Sequence, residues 1–536
     1  MTTRNEAILA DLLAARAEEK PDLDVLTFER WSLGLEPDEV RTYAALFENA
    51  HRIARELLRR GLERGDRFAL MMRNHPEFVE ALAAASLTAC VAVPVDPRTR
   101  GEKLAYTLRH SGSRGLLCAD YCLGQVLEVR EQVPSLEWIL VLETGEGAEP
   151  VSVEGFDRLR DVLAEPFRAV DSRLRSPDDP LQILYTSGTT GDPKGVVFPN
   201  SRFGLFALAG HLFGYRPDDR PYTGLSLTHG NAQAVTLAPS LSMGLRAVFS
   251  RKFTKSKLWD VCRRYGCTTF SLLGGMATAI YAEPPREDDA RNPVRMVVSA
   301  GMPAALWEAF ERRFGVRVLE WYGTVEGGLA IKPIGEGPIG SFGKPVPGLE
   351  MKIVDEDGNE CPPGVVGEIV SRPASGEPAR VEYFGDAEAS RRKTEGGWLR
   401  SGDMGHRDAE GWFFFDYRKG GGIRHNGEFI HPSFVEKVIA EHPSVADVFV
   451  YGVPAASGAP GEKDIVAAVV PAPGVPFDPK AIFEACRKGL EPNAVPTYLQ
   501  VVDEIPKTVS EKPQERILRE RFDPEAENVF TETKCR

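Results

Sequence analysis

The sequence predicts an α/β protein with a large N-terminal domain of parallel-rich sheets covered by helices, a small β-rich subdomain and a small α+β C-terminal domain. Strand-like and helix-like segments alternate from Tyr43 to about Gly315. Short strand-like pieces between Gly, Pro and Asp turns follow from about Pro338. Three consecutive glycines at 420–422 then precede an α+β pattern of roughly a hundred residues, the size of a separate domain. The predicted boundaries are 1–417, 418–422 and 423–536.

The N-terminal domain is predicted from hydrophobic periodicity. Leu46, Ala50, Ile53 and Leu57 follow the spacing of one helix face. Buried strands and helices then alternate in the segments 67–72, 76–89, 90–95, 102–112, 114–119 and 137–143. A second cycle of the same kind occupies 246–250, 255–266, 268–274, 294–301 and 303–315.

Two later parts of the chain have different patterns. The β-rich subdomain is predicted from strands at 350–355, 367–371 and 411–417, and the C-terminal domain from 434–443, 445–453, 464–470 and 479–489.

Composition limits the partners. The net charge of −13 argues against nucleic acid or an anionic membrane as the main partner. The eight cysteines contain no C-x-x-C pair, which argues against a zinc site or a disulfide framework and favours a reducing cytoplasm. The first residues predict a charged amphipathic helix without the apolar core of a signal peptide, and the longest apolar run, 81–95, is too short for a membrane span. A cytoplasmic protein is expected, and a homodimer is left open.

The stretch LYTSGTTGDPKGVV, 184–197, predicts a phosphate site. Glycines at 188, 191 and 195 would let backbone N–H groups approach a ligand, and the hydroxyls and Lys194 between them suit phosphate oxygens. The alternative is a Gly/Ser/Thr linker, although linkers seldom lie between two strand-like runs. The pattern is not the G-x-x-x-x-G-K-[ST] loop.

Five motifs in order resemble the adenylate-forming enzyme superfamily, which includes acyl-CoA synthetases and aryl-CoA ligases. The overall sequence is similar to those of carnitine- and bile-acid-type CoA ligases. The resemblance covers nearly the whole chain. The motifs are YTSGTTGDPKG (185–195), WYGTVEG (321–327), SGDMGHRDAEGWFFFDYR (401–418), NGEFIHP (426–432) and IPKTVSEKPQER (505–516).

The resemblance implies a two-step reaction. A carboxylate attacks the α-phosphate of ATP to give an acyl-adenylate and pyrophosphate, and the thiol of coenzyme A then displaces AMP. The implied ATP-binding residues of the first and second motifs, together with a glycine between them, are Thr186, Ser187, Gly188, Thr189, Thr190, Gly191, Lys194, Gly301, Tyr322, Gly323 and Thr324. Thr190 is also implied in catalysis. Gly301 has a strand-terminating turn as its alternative role.

The resemblance gives single polar residues specific roles. Asp403 and Arg418 would hold the ribose, Tyr322 would stack on adenine, and Glu326 would act in catalysis and ligate Mg²⁺, which favours carboxylate oxygen. Without the resemblance, Asp403 would be interpreted as a turn residue and Arg418 as a solvated side chain. Tyr322 would be interpreted as a core aromatic residue and Glu326 as a solvated surface charge.

The remaining implied roles concern the acyl group, the thiol and the C-terminal domain. The acyl pocket would be lined by His229, Gly274 and Gly275. The alternative for His229 is a packed or helix-capping histidine. The small α+β C-terminal domain would be mobile about the hinge at 418–422. It would bring catalytic Lys512 to the α-phosphate as a point charge. Gly427 and Glu428 would lie near coenzyme A. Alone, the segment around Lys512 predicts a charged surface loop.

Four positions depart from the superfamily pattern. Val325 replaces a Thr that contacts the α-phosphate, and losing one such hydrogen bond can cost about 2–4 kcal/mol. Gly421 occupies the hinge position, Asn426 replaces the first glycine of Gly-Gly-Glu, and VFPNSR (197–202) lacks the usual Thr-His. Because of these departures, the sequence leaves open whether the protein forms the acyl-adenylate at a normal rate.

The expected function is therefore an ATP-, Mg²⁺- and coenzyme A-dependent acyl-CoA ligase for a small-to-medium organic acid. Gly and Ala in the predicted acyl pocket favour an uncharged alicyclic, aromatic or branched tail. One alternative is a same-fold enzyme with weak adenylation that mainly thioesterifies or loads a carrier protein. Another is a non-catalytic nucleotide- or acyl-binding scaffold.

Overall fold

The computed structural model describes residues 4–146, 152–186, 193–419, 423–425, 428–430, 432–456, 463–490, 492–508 and 513–532. Its strands in chain order are β1 (Asp24–Glu29), β2 (Glu39–Thr42), β3 (Arg67–Met71), β4 (Val91–Pro94), β5 (Gly115–Ala119), β6 (Trp138–Leu142), β7 (Asp157–Arg158), β8 (Pro180–Thr186), β9 (Lys194–Pro199), β10 (Pro221–Thr223), β11 (Ala247–Ser250), β12 (Thr269–Leu273), β13 (Met296–Ala300), β14 (Arg317–Gly323), β15 (Leu329–Lys332), β16 (Ser341–Pro345), β17 (Leu349–Val354), β18 (Gly367–Pro373), β19 (Leu399–Arg407), β20 (Phe413–Arg418), β21 (Ile423–His425), β22 (Glu428–Ile430), β23 (Val445–Pro454), β24 (Lys463–Pro471), β25 (Tyr498–Val501) and β26 (Val529–Phe530).

The α-helices of the same residues are α1 (Leu9–Glu19), α2 (Tyr43–Arg59), α3 (Pro76–Thr88), α4 (Gly101–Ser111), α5 (Asp120–Val129), α6 (Leu159–Leu163), α7 (Asn200–Leu212), α8 (Ala238–Met243), α9 (Leu258–Tyr265), α10 (Gly274–Tyr281), α11 (Trp307–Phe314), α12 (Ala387–Lys393), α13 (Pro432–Ala440), α14 (Pro479–Gly489) and α15 (Glu515–Glu520). A π-helical segment, Ala232–Leu237, precedes α8.

Two large sheets form the N-terminal part, as the predicted class requires. One has the order β7-β6-β5-β3-β4-β8-β9, with parallel pairs except for the final β8–β9 hairpin. The other has the order β17-β18-β19-β20-β16-β15-β14-β13-β12-β10-β11-β1-β2. Its parallel part runs from β14 to β1, and the remaining pairs are antiparallel. The predicted β-rich subdomain is therefore continuous with this sheet, because β15 extends it beyond β14.

Helix α3 lies in the apolar core shared by the two sheets. All of its residues are buried, which agrees with a segment that is apolar on almost every face. The surrounding cluster contains side chains from β1 and β3, so it links the sheets across the helix.

Strands β21–β22 form a hairpin, and β23–β26 form a separate four-stranded sheet with its own apolar cores. The boundaries 1–417, 418–422 and 423–536 remain predictions. In the described part of the chain, no helix is both long enough and apolar enough to span a membrane.

Candidate active site

Several strands of the two large sheets end at one large cleft. The carboxyl ends of β8, β12, β13 and β14 lie along it, which is where an open α/β sheet usually binds ligands. Its volume is about 3670 Å³. A pocket for one drug-sized ligand has about 300–1,000 Å³, so this cleft has room for more than one substrate.

Asp403, Arg418 and Tyr322 meet in this cleft. Asp403 on β19 is the register partner of Arg418 on β20, which places their side chains side by side. The Arg418 Nη1 pairs with Oδ1 of Asp403, and the Tyr322 hydroxyl donates to Oδ2 at 2.6 Å. Asp403 is buried. A carboxylate has about four acceptor positions, so two remain for the hydroxyls of a ribose.

The Tyr322 ring is held between polar and aromatic neighbours. It stacks on Phe342 with ring centroids 4.5 Å apart and also lines the cleft. Burial and the adjacent Asp403 carboxylate raise the pKa of Tyr322, so its hydroxyl remains a donor. An aromatic ring that is fixed beside a ribose-type acceptor suits the stacking of a base.

Glu326 has a cationic and a phenolic neighbour. The Tyr383 hydroxyl donates to Oε1 of Glu326 at 2.9 Å, and Lys393 Nζ lies 3.9 Å from the same oxygen. Burial opposes ionisation, but Lys393, a backbone N–H and the Tyr383 hydroxyl together hold the pKa of Glu326 below its usual value. The carboxyl is therefore charged, and an ionised carboxylate in this cleft fits a Mg²⁺ ligand.

Arg202 fixes the backbone that carries Glu326. Its guanidinium donates to the carbonyl of Val325 at 2.7 Å and to that of Glu326 at 3.0 Å. The Thr324 hydroxyl donates to the Gly327 carbonyl at 2.9 Å, which closes the same turn. The side chain of Val325 packs beside Val196 and Tyr383, so this departure from the superfamily pattern lies in an apolar environment.

The predicted phosphate loop joins β8 to β9. Thr186 pairs with Lys194 at the end of this hairpin that carries the loop. Ser187, Gly188, Thr189, Thr190 and Gly191 lie outside the described residues. Lys194 Nζ lies 5.3 Å from the centroid of the Tyr383 ring and 3.9 Å from Oδ2 of Asp386. Tyr383 therefore connects the base of the loop to Glu326.

Gly274, predicted for the acyl pocket, lies against Gly301, predicted for the ATP site. Gly274 begins α10, and a Cβ there would overlap the carbonyl oxygen of Gly301. Gly301 has a φ of 98°, which also favours glycine. Gly275 and His229 line the same cleft. These contacts explain why the strand ends require glycine.

Buried Glu320 accepts hydrogen bonds from the backbone of the turn at Gly301. Its carboxylate accepts from the backbone N–H of Gly301 and from that of Met302, the latter at 3.2 Å from Oε2. Burial raises the pKa of Glu320 to about 7, against the effect of these bonds and of Lys332. Glu320 therefore fixes the backbone turn that carries Gly301 and Met302.

Sequence reasoning missed Arg202, Glu320, Phe342, Tyr383 and Lys393. Of these residues, only Glu320 could have been identified from the sequence, because it directly precedes the motif WYGTVEG on the same strand. Lys512, Gly427, Gly421 and Asn426 lie outside the described residues, as does the side chain of Glu428.

Comparison with known proteins identifies the family of the chain. The AMP-binding enzyme family matches residues 13–375, and the AMP-binding enzyme C-terminal domain matches 435–512. The chain is 34% identical over 464 residues to the medium/long-chain-fatty-acid–CoA ligase FadD17 of Mycobacterium marinum, covering 84% of this chain and 85% of that protein. It is 28% identical over 480 residues to a crotonobetaine/carnitine–CoA ligase of Salmonella typhi, covering 88% and 91%. The anthranilate CoA ligase AuaEII, solved with anthranoyl-AMP, superposes with a TM-score of 0.85 at 24% identity, covering 96% of both chains.

The fold and the sequence motifs thus define an adenylate-forming enzyme, as the sequence predicted. The chain belongs to the AMP-binding enzyme family, and its relatives place it among the acyl-CoA ligases.

Proposed function

We propose that the protein is an ATP-dependent acyl-CoA ligase that activates an organic carboxylic acid through an acyl-adenylate and transfers the acyl group to coenzyme A. The observation that carries this proposal is one cleft in which Asp403, bonded to Arg418 and Tyr322, lies beside an ionised Glu326. The names of the two relatives differ in the acid that they give, so they support the class of reaction but not one substrate.

In the first half-reaction, a carboxylate oxygen attacks the α-phosphorus of ATP and the bond to pyrophosphate breaks. Asp403 and Tyr322 would orient the nucleoside, and Lys194 with the loop 186–191 would hold the outer phosphates. Glu326 would hold Mg²⁺, which neutralises phosphoryl charge when it is bound. Arg202 keeps Glu326 in position through the two backbone carbonyls.

In the second half-reaction, the thiol of coenzyme A attacks the acyl carbon, its proton is lost, and AMP leaves with the former carboxylate oxygen. We place the thiol route near Gly427 and Glu428. The domain 423–536 would change orientation between the half-reactions by rotation at 418–422. Two orientations let one cleft first receive Lys512 and then exclude it.

Calorimetry of Mg²⁺–ATP binding tests the nucleotide half of this proposal. The wild type is expected to bind ATP, and Lys194→Ala should weaken binding by at least about tenfold, because a charged contact to phosphate is lost. Lys480→Ala is the matched control, since Lys480 is exposed on α14 and lies outside the cleft. Absence of ATP binding by the wild type would contradict the proposed function.

A further inference from the structure

Helix α7 exposes an apolar face. Leu205, Leu208 and Leu212 have relative exposures of 65%, 57% and 42%, and together they account for three of the ten large apolar side chains that are exposed in the described part of the chain. Single exposed apolar residues are ordinary on protein surfaces. Three at positions i, i+3 and i+7 form one stripe on one helix. We call these three side chains the α7 stripe.

The α7 stripe belongs to a helix with few polar side chains, of which His211 is exposed beside Leu212. The sequence of α7 is NSRFGLFALAGHL, and its ionisable residues are Arg202 and His211. Phe203, Ala207 and Gly210 on another face are buried, and α7 packs on α8. A helix that is apolar all round is normally covered on all sides, as α3 is here. The α7 stripe therefore suits an apolar occupant.

The position of α7 relates the stripe to the reaction centre. Arg202 near its start is bonded to the carbonyls of Val325 and Glu326. At 1.5 Å per residue, Leu212 lies about 15 Å along the helix axis from Arg202. The stripe thus begins within one turn of the residue that positions Glu326 and runs away from it.

The same cleft supplies further apolar surface. Ile339 is also exposed and lines it together with the three leucines. Phe213, which directly follows α7, packs in an apolar cluster with Ile331, and Val346 borders that cluster. An extended apolar chain that leaves the reaction centre would therefore meet apolar side chains over about two helical turns.

We propose that the α7 stripe binds the apolar tail of the acyl substrate, so that the preferred acids are medium- to long-chain fatty acids. This inference rests on the proposed function and changes the expectation of a small-to-medium compact acid. A second copy of this chain could also cover an apolar face. The acyl tail is favoured because the stripe starts at the reaction centre and shares its cleft.

The test is a chain-length series from hexanoate to hexadecanoate with the wild type, Leu208→Glu and the control Leu127→Glu. Leu127 is an exposed leucine of α5 outside the cleft. A charge at Leu208 should lower kcat/KM for hexadecanoate by at least about tenfold, while hexanoate, which is too short to reach Leu208, should change by no more than about twofold. The control should leave both values near wild type.

Three results would overturn the inference. One is an unchanged chain-length profile in Leu208→Glu, and another is an equal loss for every acid. The third is dissociation of a dimer with the profile unchanged, which would assign the face to a second copy.

Binding of a fluorescent long-chain fatty acid without ATP separates this inference from the proposed function. If no acid is activated but Leu208→Glu still weakens this binding, the ligase proposal fails and the tail site stands. If acids are activated and binding is insensitive to Leu208, the tail site fails alone.

Discussion

Lys512→Ala is expected to slow acyl-adenylate formation by at least roughly a hundredfold, the scale of losing one preorganised charge donor. The proposed role places this ammonium group at the α-phosphate, where negative charge develops in a site of low effective dielectric. The loss should be confined to the first half-reaction. Pyrophosphate release measures that step, and conversion of synthetic acyl-adenylate plus coenzyme A to the thioester measures the second.

Lys507→Ala is the control for Lys512→Ala. Lys507 Nζ is paired with Oδ2 of Asp447 at 2.6 Å, so its charge already has a partner within the C-terminal domain. A partly exposed pair of this kind contributes about 0–1 kcal/mol, and adenylation should remain near wild type. Equal losses in both half-reactions of Lys512→Ala would contradict the two-orientation mechanism. No loss in either would make Lys512 an ordinary surface lysine.

Asp403→Ala should weaken ATP binding by at least roughly a hundredfold. The proposed ribose site loses two charge-assisted hydrogen bonds, each worth about 1.5–3 kcal/mol. The variant also removes the partner of Arg418 and the acceptor of the Tyr322 hydroxyl. Calorimetry with Mg²⁺–ATP measures the affinity.

Two further variants distinguish a direct role of Asp403 in ATP binding from a role in holding its neighbours in place. Tyr322→Phe keeps the ring on Phe342 but removes the hydroxyl, so its affinity should fall less than that of Asp403→Ala. Asp403→Asn keeps the shape and should give an intermediate value. Unchanged ATP affinity in Asp403→Ala, with a thermal transition like that of the wild type, would rule out the ribose role.

The fold was predictable where the period of the sequence was clear. The alternation of 67–72, 76–89 and 90–95 corresponds to β3, α3 and β4 with small shifts at the ends. Helix α7 was not predicted, because residues that are apolar on every side give no helical period. The continuity of the β-rich part with the large sheet depends on pairing between β14 and β15, which local patterns do not specify.

The site was predictable only where residue identity carried the signal. Asp403 and Arg418 lie in one motif, and a hairpin brings them together. Tyr383, Lys393 and Arg202 reach Glu326 or its backbone from distant segments, and Lys393 comes from the short charged helix α12. Tertiary packing decides such contacts, so the local sequence could not reveal them.

Isotope transfer tests the acyl-adenylate directly. Dodecanoate and a panel of other acids, labelled in the carboxylate with a heavy stable isotope of oxygen, would be incubated with the protein, ATP, Mg²⁺ and coenzyme A. Attack of a carboxylate oxygen on the α-phosphorus predicts label in AMP, none in pyrophosphate, and formation of an acyl-CoA. Formation of ADP with label in inorganic phosphate, or no nucleotide turnover with any acid, would contradict the proposed reaction.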